Sequence, residues 1–145
     1  MNERIFEELA FSAEAARTSA YSPYSGVTVG AALLTENGNM YLGANIENAS
    51  YGATVCAERV AIFKAINAGE RKICAIAIAG AKAGEPVSKP FTPCGICRQV
   101  MAEFGSRDMK VIIVTSEGYD VFTLDELLPF SFSGENLSHE DPEES

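Results

Sequence analysis

At 145 residues, with 47% hydrophobic side chains and a formal charge of −9, the chain has the size and composition of one globular domain able to bury a core without disulfides. No apolar run approaches the roughly 18 residues of a membrane span. The acidic balance disfavours a nucleic-acid polymer as ligand, because phosphate backbones are met by clustered Lys and Arg.

The start, Met1 to Ala10, has neither the basic flank nor the long apolar stretch and cleavage site of an export signal, so a cytoplasmic location is expected. Ile5, Phe6, Leu9, Ala10, Ala13 and Ala16 recur at helical spacing and predict an amphipathic helix over residues 2–18, ended by Ser22-Pro23. Val27 to Leu34 reads as a strand, Glu36-Asn37-Gly38-Asn39 as a hairpin turn and Met40 to Asn45 as the returning strand. A helix follows over residues 56–68, stopped by Gly69. Ile73 to Ala79 is a short apolar run of strand length, and the Gly- and Pro-rich residues 80–93 form a loop. Residues 94–104 predict a helix ended by Gly105, residues 111–115 a strand, residues 119–123 a weaker strand and residues 124–129 a short helical turn. This order implies an α/β fold with a mixed sheet, in which the helix-linked later strands pair in parallel. A single domain is expected over residues 1–133, with residues 134–145 as an acidic, mobile tail holding the lone His139.

The chemistry concentrates in Cys56-Ala57-Glu58-Arg59 and Pro93-Cys94-Gly95-Ile96-Cys97. Cys94 and Cys97, three apart at a helix start, can grip one ion from the same side. By itself such a pair equally fits a redox dithiol or half of a structural zinc knuckle. Cys56 opens another predicted helix, so two helix N-termini would direct their positive ends at one group of thiolates. Three thiolates without a histidine nearby leave a fourth position open, and Glu58 stands where a carboxylate could move a proton of water held there. Three thiolates also leave excess negative charge, which guanidinium donation from Arg59 or Arg98 would offset; both arginines fit equally well as surface charges in a first helical turn. Cys74, in the run Ile73 to Ile78, is expected to be a buried core thiol.

CAE followed by PCGxCRQ resembles the zinc-dependent nucleoside deaminases, and in particular the small three-cysteine cytidine deaminases; the ligand set and non-ligand glutamate of zinc deaminases are a known mechanism. Tyr21-Ser-Pro-Tyr-Ser25, Val29-Gly-Ala-Ala-Leu33, Asn45-Ile-Glu47-Asn48-Ala49-Ser50-Tyr51-Gly52 and Leu127-Leu-Pro129 extend the similarity in order and spacing from about residue 6 to residue 132. The resemblance implies a three-layer cytidine-deaminase-like fold, a five-stranded mixed sheet with helices on both faces. It implies that Cys56, Cys94 and Cys97 hold Zn2+ and that Glu58 shuttles protons while water adds to C4 of cytosine and ammonia leaves. Cytidine and 2'-deoxycytidine would become uridine and 2'-deoxyuridine, a step of pyrimidine salvage. Asn45 and Glu47 match positions that bind the ribose hydroxyls, and Val27 and Ala57 fall at the base. Arg59 and Gln99 match residues supporting the ligands. Family members assemble as homotetramers in which a C-terminal aromatic of one subunit covers the base in another; Phe132 falls there, and Ala49 and Tyr51 match positions near subunit contacts. Val27 departs from the family's usual phenylalanine, exchanging an aromatic contact for an aliphatic one at a cost of roughly 0.5 to 1.5 kcal/mol. Gly26 and Thr28 depart from the common Lys and Pro. These departures keep open an alternative substrate, a modified cytosine nucleoside such as blasticidin S.

Overall fold

The computed structural model of the chain describes residues 1–137. Helix α1 (Glu3–Ala16) starts where the Asn2 side chain accepts from the Ile5 N–H at 3.1 Å, and buries Leu9, Ala10, Ala13 and Ala16. A 3-10 turn (Arg17–Ser19) closes it, three residues ahead of the expected Ser22-Pro23 stop. Strands β1 (Val27–Thr35) and β2 (Met40–Ala44) form the expected hairpin, followed by α2 (Ala57–Asn67), β3 (Ile73–Lys82), α3 (Gly95–Phe104), β4 (Gly105–Thr115), β5 (Gly118–Thr123) and the single turn α4 (Leu124–Leu127).

The sheet order is β2-β1-β3-β4-β5, with β3 and β4 parallel and the other pairs antiparallel. The parallel pair needs a crossover, which the loop after β3 and α3 supply. Two strands are longer than the apolar pattern indicates. β3 continues to Lys82 because β1 pairs with it as far as Val27, and β4 begins at Gly105, which pairs with Ile73.

Side-chain alternation sorts the core into two layers. Leu33, Ile76, Ile78, Val111 and Ile113 face α2 and α3, whereas Ala32, Ala75, Ala77, Ala79 and Ile112 face α1. The alanine-lined face lets α1 sit so close that a Cβ on Gly30 would lie 1.9 Å from the Ala13 carbonyl oxygen. On the other face a Cβ on Gly43 would lie 2.5 Å from the Ala57 carbonyl oxygen and from the Ala61 nitrogen. Glycine is therefore required at both positions for helix approach.

Cys74 corrects an expectation. Thr35 pairs with Ile73 and Leu34 with Ala75, so Cys74 is the extra residue of a bulge. It is only half-buried and belongs to neither core layer. At the C-terminal end, Gly134–Leu137 form one 3-10 turn. The rest of the expected tail, with His139, lies outside the described residues.

The strand registers bring the C-terminal ends of β2 and β3 to the N-terminal end of β1: Ala44 pairs with Gly30, and Lys82 with Val27. The segments that leave this edge carry Asn45 and Glu47 on one side and residues 91–94 on the other.

Candidate active site

Cys56 and Cys94 are the N-cap residues of α2 and α3, both extended in backbone, and neither side chain is spent on capping its helix. Their sulfurs are therefore free to face each other beneath two helix N-termini, where the backbone N–H groups and the macrodipole favour thiolates. Cys97, one turn into α3, completes the group. The sulfurs of Cys56, Cys94 and Cys97 all lie within 4.8 Å of one another, with Cys56 to Cys94 at 3.9 Å and Cys94 to Cys97 at 3.4 Å. A tetrahedral ion with metal–sulfur bonds of about 2.3 Å requires sulfur separations of about 3.8 Å. The cluster fits zinc, and among the described residues no other Cys, His, Asp or Glu joins it to close the fourth position.

The protons of the cluster are already unevenly distributed. The Cys56 thiol is pulled down to about 5, first by its hydrogen bond with Cys97 and then, against burial, by Arg59. The Cys97 thiol is held well above the ordinary thiol range by that same contact and by burial. Arg59 Nη2 reaches Cys56 Sγ at 3.7 Å and the Thr54 carbonyl at 3.3 Å, while its Nε is buried without a partner. A cation so placed offsets thiolate charge. Arg98, expected in the same role, is instead turned to the Pro93 carbonyl at 2.8 Å and the Leu127 carbonyl at 2.6 Å. It fastens the segment around the cluster to α4 and makes no bond to sulfur. Gln99 likewise leaves the sulfurs alone and donates to the Phe132 carbonyl at 2.7 Å.

Glu58, the second residue of α2, is 3% exposed, a rare environment for a carboxylate. Burial pushes its carboxyl up to about 7; its own backbone N–H works against the shift, and the negative Cys56 adds to it. A carboxyl so tuned takes up and releases protons near neutrality. Glu58, Cys56, Cys94 and Ala57 open on a cavity of about 300 Å³ whose far walls are Val27, Val29, Asn45 and Glu47. The segment leaving β2 and both cysteine motifs thus share one cleft.

The polar edge of the cleft is tied to the segment before β1. Asn45 Oδ1 accepts from Val29 N at 2.8 Å, and its Nδ2 donates to the Val27 carbonyl at 2.9 Å. Glu47 Oε1 accepts from Tyr24 N at 2.9 Å and Ser25 N at 3.0 Å, and the Ser25 hydroxyl donates to Oε2. Ser25, Thr54, Val55, Phe91 and Thr92 also line the cavity and were not among the site residues read from sequence. Ser25 lay within the quoted Tyr-Ser-Pro-Tyr-Ser run; Phe91 carried no signal beyond an aromatic in a proline-rich loop. Tyr51 lines an adjoining recess of about 270 Å³ that shares Ser25, Glu47 and Thr54 with the cleft. Ala49 and Phe132 are exposed and do not line the cleft.

Residues 5–115 match the model of the cytidine and deoxycytidylate deaminase zinc-binding region, and the chain belongs to this family. A cytidine deaminase of Halalkalibacterium halodurans is 48% identical over 124 residues, covering 85% of this chain and 90% of the relative. One from Sporosarcina psychrophila is 46% identical over 134 residues, covering 92% and 95%. The crystal structure of cytidine deaminase from Burkholderia pseudomallei superposes with a TM-score of 0.76 at 43% identity, covering 91% of this chain and all of the other. The three-layer arrangement and five-stranded mixed sheet are those of this family.

Proposed function

We infer that the chain is a zinc-dependent cytidine deaminase, with residues 1–133 as its one catalytic domain, converting cytidine and 2'-deoxycytidine to the uridine products and ammonia. The observation that carries this is a buried glutamate, Glu58, beside three sulfurs spaced for one tetrahedral ion, on a cleft large enough for a nucleoside. Zinc held by Cys56, Cys94 and Cys97 supplies Lewis acidity that makes a water nucleophilic at neutral pH.

The remaining work falls to side chains. Glu58 accepts a proton from water as oxygen bonds to C4 and delivers it to N3, then moves the remaining proton from the new hydroxyl to the exocyclic nitrogen, so that the C4–N bond breaks, the C4 carbonyl forms and nitrogen leaves as ammonia. Its environment suits both directions of transfer, since the carboxyl sits near neutrality. Arg59 offsets the charge of the thiolates. Asn45 and Glu47 hold the sugar hydroxyls from the edge opposite the sulfurs, and Val27 and Ala57 enclose the base. Assembly as a homotetramer is supported by apolar surface: Phe11, Tyr51, Phe130 and Phe132 are 75%, 80%, 100% and 56% exposed. No helix among the described residues is long and apolar enough to cross a membrane. Free thiols in a metal cluster suit a reducing compartment, the cytoplasm.

The test is the fall in cytidine absorbance and release of ammonia by the zinc-loaded protein, beside Glu58→Gln, with blasticidin S and deoxycytidine as parallel substrates. The isosteric amide cannot exchange protons and should lose activity by roughly 10²-fold to 10⁴-fold or more with zinc still bound. Undiminished turnover by Glu58→Gln, or zinc-loaded wild type inert toward cytidine and deoxycytidine, refutes the reading.

A further inference from the structure

We propose that Phe91 is the residue that takes the face of the pyrimidine base, so that the ring-recognition surface of this cleft comes from the segment leading into the Cys94 motif and not from β1. The inference rests on the deaminase reading and specifies how that site holds its substrate.

Among the described residues Phe91 is the one aromatic lining the cleft. Its ring is seated on β3 at Gly80, where an added Cβ would lie 2.6 Å from the ring's Cγ. Gly80 pairs with Val29 on β1, and Val27 pairs two positions further on with Lys82. Alternation puts Gly80, Val29 and Val27 on one face of the sheet, the face that carries Ile76 and Ile78 under α2 and α3. The phenyl ring fills the place that a side chain at position 80 would take, directly beside the two valines. It remains 40% exposed, whereas Val29 is 5% exposed. The ring is thus supported by backbone on one side and left uncovered elsewhere.

Only Thr92 and Pro93 separate Phe91 from Cys94, so a planar ligand lying on the phenyl group is held within reach of the sulfur cluster. The valines can enclose the edge of such a ligand but offer no π face. A flat heteroaromatic ring gains a specific contact from an aromatic face beyond the area it buries. Tyr24 and Tyr51 stand in the adjoining recess, where a base would be away from Glu58.

The chain contains no tryptophan, so Phe91→Trp introduces a single fluorophore into the cleft. Titration with uridine, which is not consumed, is expected to quench that emission saturably, and ribose alone is expected to leave it unchanged. In steady state Phe91→Leu should raise KM for cytidine on the order of tenfold with kcat and zinc content nearly unchanged, and Phe91→Tyr should restore KM. A wild-type KM in Phe91→Leu, or tryptophan emission indifferent to uridine, overturns the assignment. Quenching by uridine in a protein whose wild type releases no ammonia from cytidine supports the stacking role and refutes only the catalytic reading.

Discussion

Replacing Gly43 by alanine tests how far the chemistry depends on the seating of α2. The backbone at Gly43 is not in the left-handed region, so the effect of a methyl group there is steric alone. The new carbon would lie 2.5 Å from the Ala57 oxygen and the Ala61 nitrogen, against an ordinary contact of 3.4 Å or more, so α2 must retreat by about 0.9 Å. Both contacted atoms are helix backbone and cannot rotate away. The retreat carries Cys56 and Glu58 with it, because they cap and open that helix. Displacements near 1 Å cost on the order of 100-fold in rate, and overpacking costs about 1–3 kcal/mol of stability. Gly30→Ala is the control: its methyl would lie 1.9 Å from the Ala13 oxygen and drive α1 from the opposite face. Thermal melts and kcat/KM at a temperature where both variants are folded separate the two effects. Both should melt lower, by roughly 2–4 °C per kcal/mol at this size. Only Gly43→Ala should lose rate and zinc affinity. Equal kinetic losses in the two variants would refute the argument that the α2 contact sets the site.

Stripping zinc with a chelator should expose Cys56, Cys94 and Cys97 to a thiol reagent in addition to Cys74, lower Tm and abolish activity, with zinc restoring all three; unchanged thiol titration on chelation would count against a three-cysteine metal site. Ser25→Ala removes the largest influence holding the Glu47 carboxyl below the usual carboxylate range, so the second, lower inflection of kcat/KM, beneath the one set by Glu58, should move to higher pH and KM should rise more than kcat falls. A pH–rate profile superimposable on wild type would sink that role. Glu70 accepts from Asn37, Asn39 and Tyr41, and bonds from Asn39 and then Asn37 lower its carboxyl. The folded form therefore binds its proton less readily than the unfolded chain. Its contribution is complete above the ordinary glutamate range and fades as pH falls through the lower folded value. The Tm advantage of wild type over Glu70→Gln should shrink as pH drops below about 4, and a pH-independent gap would refute it.

What could be read from the chain was whatever depends on local spacing. The three cysteines and Glu58 were legible because cysteines at helix starts, three apart or followed by a glutamate, converge wherever two such starts meet. The hairpin of β1 and β2 was legible from its turn residues. Cys74 was not, because a bulge is set by the count of residues between two ladders, a property of the strand pair and not of the run Ile73 to Ile78. The first half of β4 lacks an apolar rhythm, and of it only Gly105 is paired, with Ile73, where the chain leaves α3; regular pairing starts at Lys110. Arg59 and Arg98 looked equivalent in sequence. Their partners differ because the Leu127 carbonyl, distant along the chain, lies beside Arg98 and captures it.

The polar edge of the cleft can be argued further by counting hydrogen-bonding capacity. An ionised carboxylate offers about four acceptor positions. Glu47 commits three of them to Tyr24 N, Ser25 N and the Ser25 hydroxyl. The amide of Asn45 offers two N–H donors, one of which is committed to the Val27 carbonyl, and its oxygen already accepts from Val29 N. The segment is also laced to itself, Tyr21 N donating to the Asn45 carbonyl and Glu47 N to the Tyr21 carbonyl. What remains for a ligand is one donor from Asn45, beside one unfilled acceptor position on its own oxygen and one on Glu47, held in place before anything binds. A group that can give one hydrogen bond and receive another is complementary to that pair, and a sugar hydroxyl does both. An ether oxygen can only accept, and an ammonium can only donate; either would leave one member of the pair without its bond in a cleft where water is partly excluded. The bonds that fold residues 21–29 against residues 45–47 are therefore the same bonds that leave a donor beside an acceptor at this edge, a pairing that suits a hydroxyl.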